Sequence, residues 1–256
     1  REIATAIGAK DVVADERMGK VSIVGTGIQS APGYAARMFR TLSDVLNTDE
    51  LAVIHALLGQ VRFADGRITN PDSTIKHNLQ APQEDPVNAR ISQIVRDALF
   101  RHPDVRNWGM PRSMARPTVV RYEPGMTYGW HVDEGLFPSS PPLRSDLSCT
   151  VFLSPPDEYD GGELMMQLGQ ETLTYKLQPG HAILYPSTTI HQVAPVTRGV
   201  RLAAITWIQS WITSTEQREL LVQLEEARAR AGVQDERLTV LLGSLRSNLF
   251  RMWADT

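Results

Sequence analysis

Three residues in this 256-residue chain could share one metal ion: His131 and Asp133, two positions apart, and His191, 58 positions beyond the aspartate. Arg201 follows ten residues later. Two imidazoles and one carboxylate can occupy one face of an octahedral ferrous ion, leaving the opposite face open for exogenous ligands. The arginine adds a planar, permanent cation suited to the far carboxylate of a small diacid. Together these residues point to oxidation of a substrate with Fe(II), O2 and 2-oxoglutarate. His-x-Asp alone recurs by chance in many chains. Its weight here comes from the pieces that follow in order: the Pro179-Gly180 turn, a strand over residues 181–185, the loop 186–190, His191 and Arg201.

Short strands are what must position these groups. From Arg116 onward, runs of apolar residues are divided by turn residues, giving candidate strands at Thr118–Tyr122, Tyr128–Val132, Leu147–Leu153, Glu163–Gln167, Glu171–Lys176, Ala182–Tyr185, His191–Val193 and Arg201–Ile208. Pro124-Gly125, Asp160-Gly161-Gly162 and Pro179-Gly180 supply tight turns. Eight short strands at this spacing suit a sandwich or jelly-roll barrel. His131 and Asp133, two apart at a strand end, can point to one side of the chain. The third ligand then comes from a strand distant in sequence but adjacent across the barrel.

Helical patterns flank this block. Ala35, Met38, Phe39, Leu42, Val45 and Leu46 recur at three- and four-residue steps, and Thr48 is placed to cap a helix from Asp49 to about Leu58. Residues 61–86 read as strand and loop, and Val87 to about Phe100 returns to helical spacing. Ser214 and Gln217 form a capping pattern for a helix that Gly232 ends, and Leu238–Trp253 makes another. The expected fold is α+β: a double-stranded β-helix (jelly-roll) core with flanking N-terminal and C-terminal helices. The expected division is an arm at 1–32, a helical and strand support region at 33–115, the catalytic core at 116–212 and C-terminal helices at 213–256.

Composition excludes several classes. A net charge of -3 gives no basic field for nucleic acid. No apolar run approaches the roughly 20 residues of a membrane span, and Arg1-Glu2 leads into no secretory-type apolar stretch. Cys149 stands alone in an apolar run, which fits a core residue of a cytoplasmic protein. Leu241, Leu242, Leu245, Leu249 and Trp253 form a stripe that needs covering, either by the parent barrel or in a homodimer through the C-terminal helices.

Five ordered segments carry a family resemblance: Arg121-Tyr122-Glu123-Pro124-Gly125, Tyr128-Gly129-Trp130-His131-Val132-Asp133, Arg144-Ser145-Asp146-Leu147-Ser148, Tyr159-Asp160-Gly161-Gly162-Glu163-Leu164 and Leu184-Tyr185-Pro186-Ser187. With His191 to Arg201 and Trp207-Ile208-Gln209-Ser210, they resemble the bacterial PKHD-type hydroxylases, relatives of the prolyl 4-hydroxylase branch of Fe(II)/2-oxoglutarate oxygenases. The resemblance implies His131, Asp133 and His191 as iron ligands, Arg201 as the 2-oxoglutarate anchor and Tyr122 facing the cosubstrate pocket. A second pocket tyrosine of those relatives falls near Phe152, leaving Ser148 or Thr150 to replace its hydrogen bond. Trp207 falls near the cosubstrate or in the barrel core.

The implied reaction is hydroxylation of a C–H bond with release of succinate and CO2, using Fe(II), 2-oxoglutarate and O2, with ascorbate as reductant. Asp133 favours hydroxylation over halogenation, because related halogenases lack this carboxylate. The polar run Lys76-His77-Asn78-Leu79-Gln80 offers a cation and amides. Lys76, Asn78 and Gln80 are thus candidate contacts, together with Trp207, to a small carboxylated substrate such as an amino acid or N-acyl amino acid. A protein side chain is the alternative substrate. Loop 134–144 is a candidate lid. A non-catalytic, cupin-like metal sensor would leave Arg201 without purpose, and a zinc hydrolase would have only Glu134 as a nearby acid or base.

Overall fold

The computed structural model describes residues 39–255, so the expected arm at 1–32 lies outside the described residues. Strand β1 (Arg40–Leu42), helix α1 (Thr48–Leu58), β2 (Ala64–Asp65), β3 (Lys76–His77), β4 (Leu79–Gln80), helix α2 (Pro86–Arg101) and β5 (Pro111–Met114) come first. The central block comprises β6 (Thr118–Tyr122), β7 (Thr127–His131), β8 (Leu136–Phe137), β9 (Leu143–Arg144), β10 (Leu147–Phe152), β11 (Asp160–Gly161) and β12 (Leu164–Leu168). It continues through β13 (Glu171–Tyr175), β14 (Ala182–Pro186), β15 (His191–Val193), β16 (Val196–Arg198) and β17 (Arg201–Ser210). Helices α3 (Thr215–Ala231) and α4 (Glu236–Trp253) close the described chain.

The strands form a large sheet in the order β1-β14-β10-β17-β6-β4-β2, with β5 also on β17, and a smaller sheet in the order β13-β12-β15-β7-β3. Both are built from antiparallel pairs. The large sheet is buried on both faces, and period-two alternation sorts its side chains between two cores. Leu147, Cys149 and Val151 of β10, with Ala182 and Leu184 of β14, pack with Ile54 of α1 and Ile91 and Val95 of α2. Phe152, Ile183 and Tyr185 turn the other way and pack with Leu164, Met166 and Val193 of the smaller sheet. The layers therefore run helices, large sheet, small sheet, and the space between the sheets is where the candidate ligands point.

Seven of the eight expected strands coincide with the observed ones or differ by one residue at one or both ends; the eighth, β17, runs two residues longer than expected. The expected helical stripe is overturned at Phe39, Leu42, Val45 and Leu46; its first members, Ala35 and Met38, lie outside the described residues. Residues 40–42 instead pair with Leu184–Ala182 along the edge of β14. Phe39 joins the core between the sheets, while Leu42, Val45 and Leu46 join the core under the helices. One helical face could not serve both. Strands from residues 40–114 extend both sheets, so this region shares its hydrogen bonding with the 116–212 core.

Cys149 is buried, and burial pushes its thiol up to about 12, which makes it a core residue. No helix among the described residues is long and apolar enough to cross a membrane. The C-terminal stripe is split: Leu249, Phe250 and Trp253 pack near Ile212 and Leu221, whereas Leu241 and Leu245 are exposed.

The cap of α1 also differs from expectation. Asn47, not Thr48, caps it: Asn47 accepts from the Glu50 amide at 2.9 Å while Glu50 accepts from the Asn47 amide at 3.0 Å. Asn47→Ala should cost about 1 kcal/mol in urea unfolding, whereas Thr48→Ala should change stability by no more than about 0.5 kcal/mol. The reverse ranking would reject the assignment.

Candidate metal centre

His131 and His191 are direct cross-strand partners in the β7–β15 pair. Their ring centroids lie 4.2 Å apart. Along β7 and just past it, Trp130 and Val132 are exposed while His131 and Asp133 turn inward, as alternation requires. Asp133 Oδ1 is 4.0 Å from His131 Nε2, and Oδ2 is 3.7 Å from His191 Nε2. One ligand atom from each residue falls within 4.8 Å of the others, so the three can hold one metal ion.

Each ring is set by the same local device. His131 Nδ1 contacts the Gly129 carbonyl at 2.8 Å, and His191 Nδ1 contacts the Thr189 carbonyl at 2.9 Å. A carbonyl can only accept, so Nδ1 carries the proton in both rings and each Nε2 lone pair is free for a metal. Burial, then the neighbouring His191, pushes His131 down from an ordinary 6.5 to about 4, keeping it neutral. Asp133 is fixed from the opposite sheet: Ser148 Oγ donates to its Oδ2 at 2.5 Å, and Ser148 lies 2.8 Å from Ser187 Oγ.

Arg201 stands directly opposite Tyr122 in the β17–β6 pair. Its guanidinium lies 5.1 Å from the Tyr122 ring and 5.6 Å from the Phe152 ring. The side chain is 1% exposed, yet its Nε and Nη2 have no hydrogen-bond partner among the described residues. Gly162 makes room for it: at φ 66°, a Cβ there would sit 3.0 Å from Arg201 Cδ. Burial pushes the Tyr122 hydroxyl up to about 12, so it remains a proton donor. The triad, Arg201 and Tyr122 line one cavity of about 460 Å³.

Lys76, Gln80 and Trp207 line the same cavity. Asn78 does not: its side chain is directed at the Tyr122 hydroxyl, so it supports that tyrosine from behind instead of meeting a substrate. Within loop 134–144, Phe137, Ser139 and Leu143 line the cavity, and the Phe137 ring lies 4.6 Å from Trp207. Glu134 is exposed beside the triad.

Sequence reasoning missed two aromatic residues. Tyr185 lines the cavity edge-on to His191 at 5.2 Å, with its hydroxyl directed at Thr150. Tyr128 stacks on His131 at 3.6 Å. Simple alternation places Tyr128 and His131 on opposite faces, being three apart. A bulge brings them together: Val193 and His191, two apart, oppose Tyr128 and His131. Gly129, inside the strand pattern between them, is the residue that could have signalled the bulge.

This geometry agrees with comparisons to known proteins. The 2OG-Fe(II) oxygenase superfamily matches residues 117–209, which include all three candidate ligands and Arg201. A PKHD-type hydroxylase of Sphingopyxis alaskensis is 42% identical over 218 residues, covering 84% of this chain and 99% of the relative. One from Klebsiella pneumoniae subsp. pneumoniae is 38% identical over 222 residues, covering 84% and 98%. The chain belongs to the PKHD-type hydroxylases, within the 2OG-Fe(II) oxygenase superfamily. It is a dioxygenase. Among solved structures, a prolyl hydroxylase from Trichoplax adhaerens, in complex with a hypoxia inducible factor peptide fragment, shares the fold at a TM-score of 0.51. It is 17% identical and the match covers 74% of this chain and 89% of that one.

The residues of this PKHD-type chain fit the groups that its superfamily name carries. Two neutral imidazoles and a carboxylate suit a ferrous ion. A buried guanidinium with unpartnered donors calls for an anion such as the diacid, because its desolvation is otherwise uncompensated.

Ser148→Ala should weaken metal binding about 10- to 100-fold by releasing Asp133; calorimetric Mn(II) titration measures this, and unchanged affinity would reject the role given to Ser148. The pH dependence of the metal-free protein follows from His131. Its folded form takes a proton only near pH 4, against 6.5 for an ordinary histidine. Its contribution to stability is therefore complete above pH 6.5 and lost as pH falls toward 4. Urea midpoints across that range should fall in the metal-free protein and fall less in His131→Gln.

Proposed function

We propose that this enzyme hydroxylates an unactivated C–H bond of a small molecule such as an amino acid or N-acyl amino acid. His131, Asp133 and His191 would hold Fe(II), and Arg201 would anchor the C5 carboxylate of 2-oxoglutarate, with Tyr122 donating a further hydrogen bond. The two facing sheets are read as a double-stranded β-helix whose smaller sheet carries both histidines. When bound, iron, 2-oxoglutarate and O2 supply the oxidising chemistry, with succinate and CO2 as coproducts and ascorbate as the reductant that maintains Fe(II).

The protein's part is positional. Arg201 can grip a carboxylate with two parallel N–H groups, a planar geometry that lysine cannot reproduce. Ser148 keeps Asp133 turned toward both imidazoles. Phe137, Leu143 and Trp207 shield one side of the cavity from water, which protects a reactive site from side reactions. The observation that carries the proposal is Arg201, a buried cation with unpartnered donors that shares a cavity with the triad. A non-catalytic metal sensor or a zinc hydrolase would give that cation no work. The buried Lys76 and Gln80 in the cavity lining favour a free carboxylated small molecule over a protein side chain.

Purified protein with Fe(II), ascorbate and 2-oxoglutarate should form succinate slowly without added substrate. Asp133→Ala should abolish it, and Arg201→Ala should raise the KM for 2-oxoglutarate about a hundredfold or more, in line with the loss of a buried charge-assisted pair. Near-normal turnover by Asp133→Ala would sink the proposal.

A further inference from the structure

Lys76 is the cation that the oxygenase reading leaves without a task. It is 6% exposed and lines the same cavity as the triad and Arg201. Its Nζ donates to Thr69 Oγ1 at 2.8 Å and to Gln80 Oε1 at 3.4 Å. Both acceptors are neutral. Two acids reach Lys76 by charge alone: Asp133 is turned to the two histidines, and Asp65 is ion-paired with Arg67. Arg116 and Glu134, the other charged groups of the lining, are exposed and opposite in sign.

The fold separates the two buried cations of the cavity. Arg201 projects from β17 of the large sheet, opposite Tyr122. Lys76 comes from β3, the edge strand of the small sheet, and pairs across to Tyr128. Its Nζ lies 5.6 Å from the Tyr128 ring centroid, and that ring stacks on His131. The triad thus has one buried cation on each sheet beside it.

Counting charges in the loaded site assigns the second cation. The ferrous ion and Arg201 bring three positive charges; Asp133 and the 2-oxoglutarate dianion bring three negative ones. These cancel, and the charge on Lys76 remains. A buried ammonium with only neutral partners is costly unless an anion meets it.

We propose that the substrate to be hydroxylated is a small organic monoanion whose carboxylate is received by Lys76, with Thr69 and Gln80 positioning the ammonium. This rests on the 2-oxoglutarate oxygenase reading and adds a charge requirement to it. A site built around an ion rejects a neutral isostere, because its charged group would be left unpaired.

The test uses the full chain loaded with Mn(II), a redox-inert stand-in for Fe(II), and 2-oxoglutarate. A set of N-acetyl amino acids and the matching C-terminal amides is titrated by calorimetry. Carboxylates should bind about 10- to 100-fold tighter than their amides. Lys76→Met should erase that difference, and Lys76→Arg should restore part of it. Amides binding equally well, a preference surviving in Lys76→Met, or no member of the set binding would each overturn the inference.

Thermal unfolding supplies an independent readout. Lys76→Met removes a buried cation while keeping similar volume, so its Tm should be no lower than that of the unaltered protein. A lower Tm would make the lysine structural and also overturn the assignment. Succinate formation without added substrate reports separately on the oxygenase reading. If succinate forms and the carboxylate preference is absent, only the present inference fails.

Discussion

The register between β7 and β15 is the constraint on which the site depends. It places two imidazoles opposite each other across an antiparallel pair, a few ångströms apart, with no loop needed to bring them together. A slip of one residue would turn one of them to the other face. The bulge in β7 gives the strand a second use, since it folds Tyr128 onto the His131 ring and carries the Lys76 pairing with it. Asp133 lies just beyond the strand and needs another anchor. Ser148, on a strand of the opposite sheet, provides it. The centre is thus clamped between two sheets: the small one supplies the nitrogen ligands, and the large one orients the oxygen ligand.

Charge follows the same division. The large sheet buries Arg201 among aromatic rings with donors unpartnered, and the small sheet buries Lys76 against neutral oxygens. Neither arrangement stabilises the empty fold, because buried cations without acids carry a desolvation cost. Their persistence in the cavity makes sense as preorganisation for anions. The helices contribute differently. They seal the outer face of the large sheet, and His55 of α1 lies 2.8 Å from the Leu153 carbonyl just after β10, the strand that bears Ser148.

The chemistry was legible in the sequence because it depends on side-chain type and spacing. His131, Asp133, His191 and Arg201 converge on one cavity as their order implied, and the central strands are close to where alternation and turn residues put them. What stayed hidden has physical reasons. The bulge after Tyr128 changes phase with only Gly129 to mark it, and a lone glycine in a strand does not say how the partner strand is offset. Residues 40–46 satisfy a helical period, yet the edge of β14 claims three of them for a sheet pairing that lies far away in sequence. Asn78 sits in the same polar run as Lys76 and Gln80, but its carboxamide turns to Tyr122, and only the fold distinguishes them.

That edge pairing has a consequence for how the chain can be handled. β1 is a three-residue strip covering the outer rim of β14, whose neighbour on the other side is β10 with Ser148. Open rims of this kind recruit strands from other molecules. Trimming the chain past Leu42 would bare unpaired backbone amides and carbonyls of β14, one strand away from the aspartate's anchor, so the damage would appear as self-association before it appeared as lost iron.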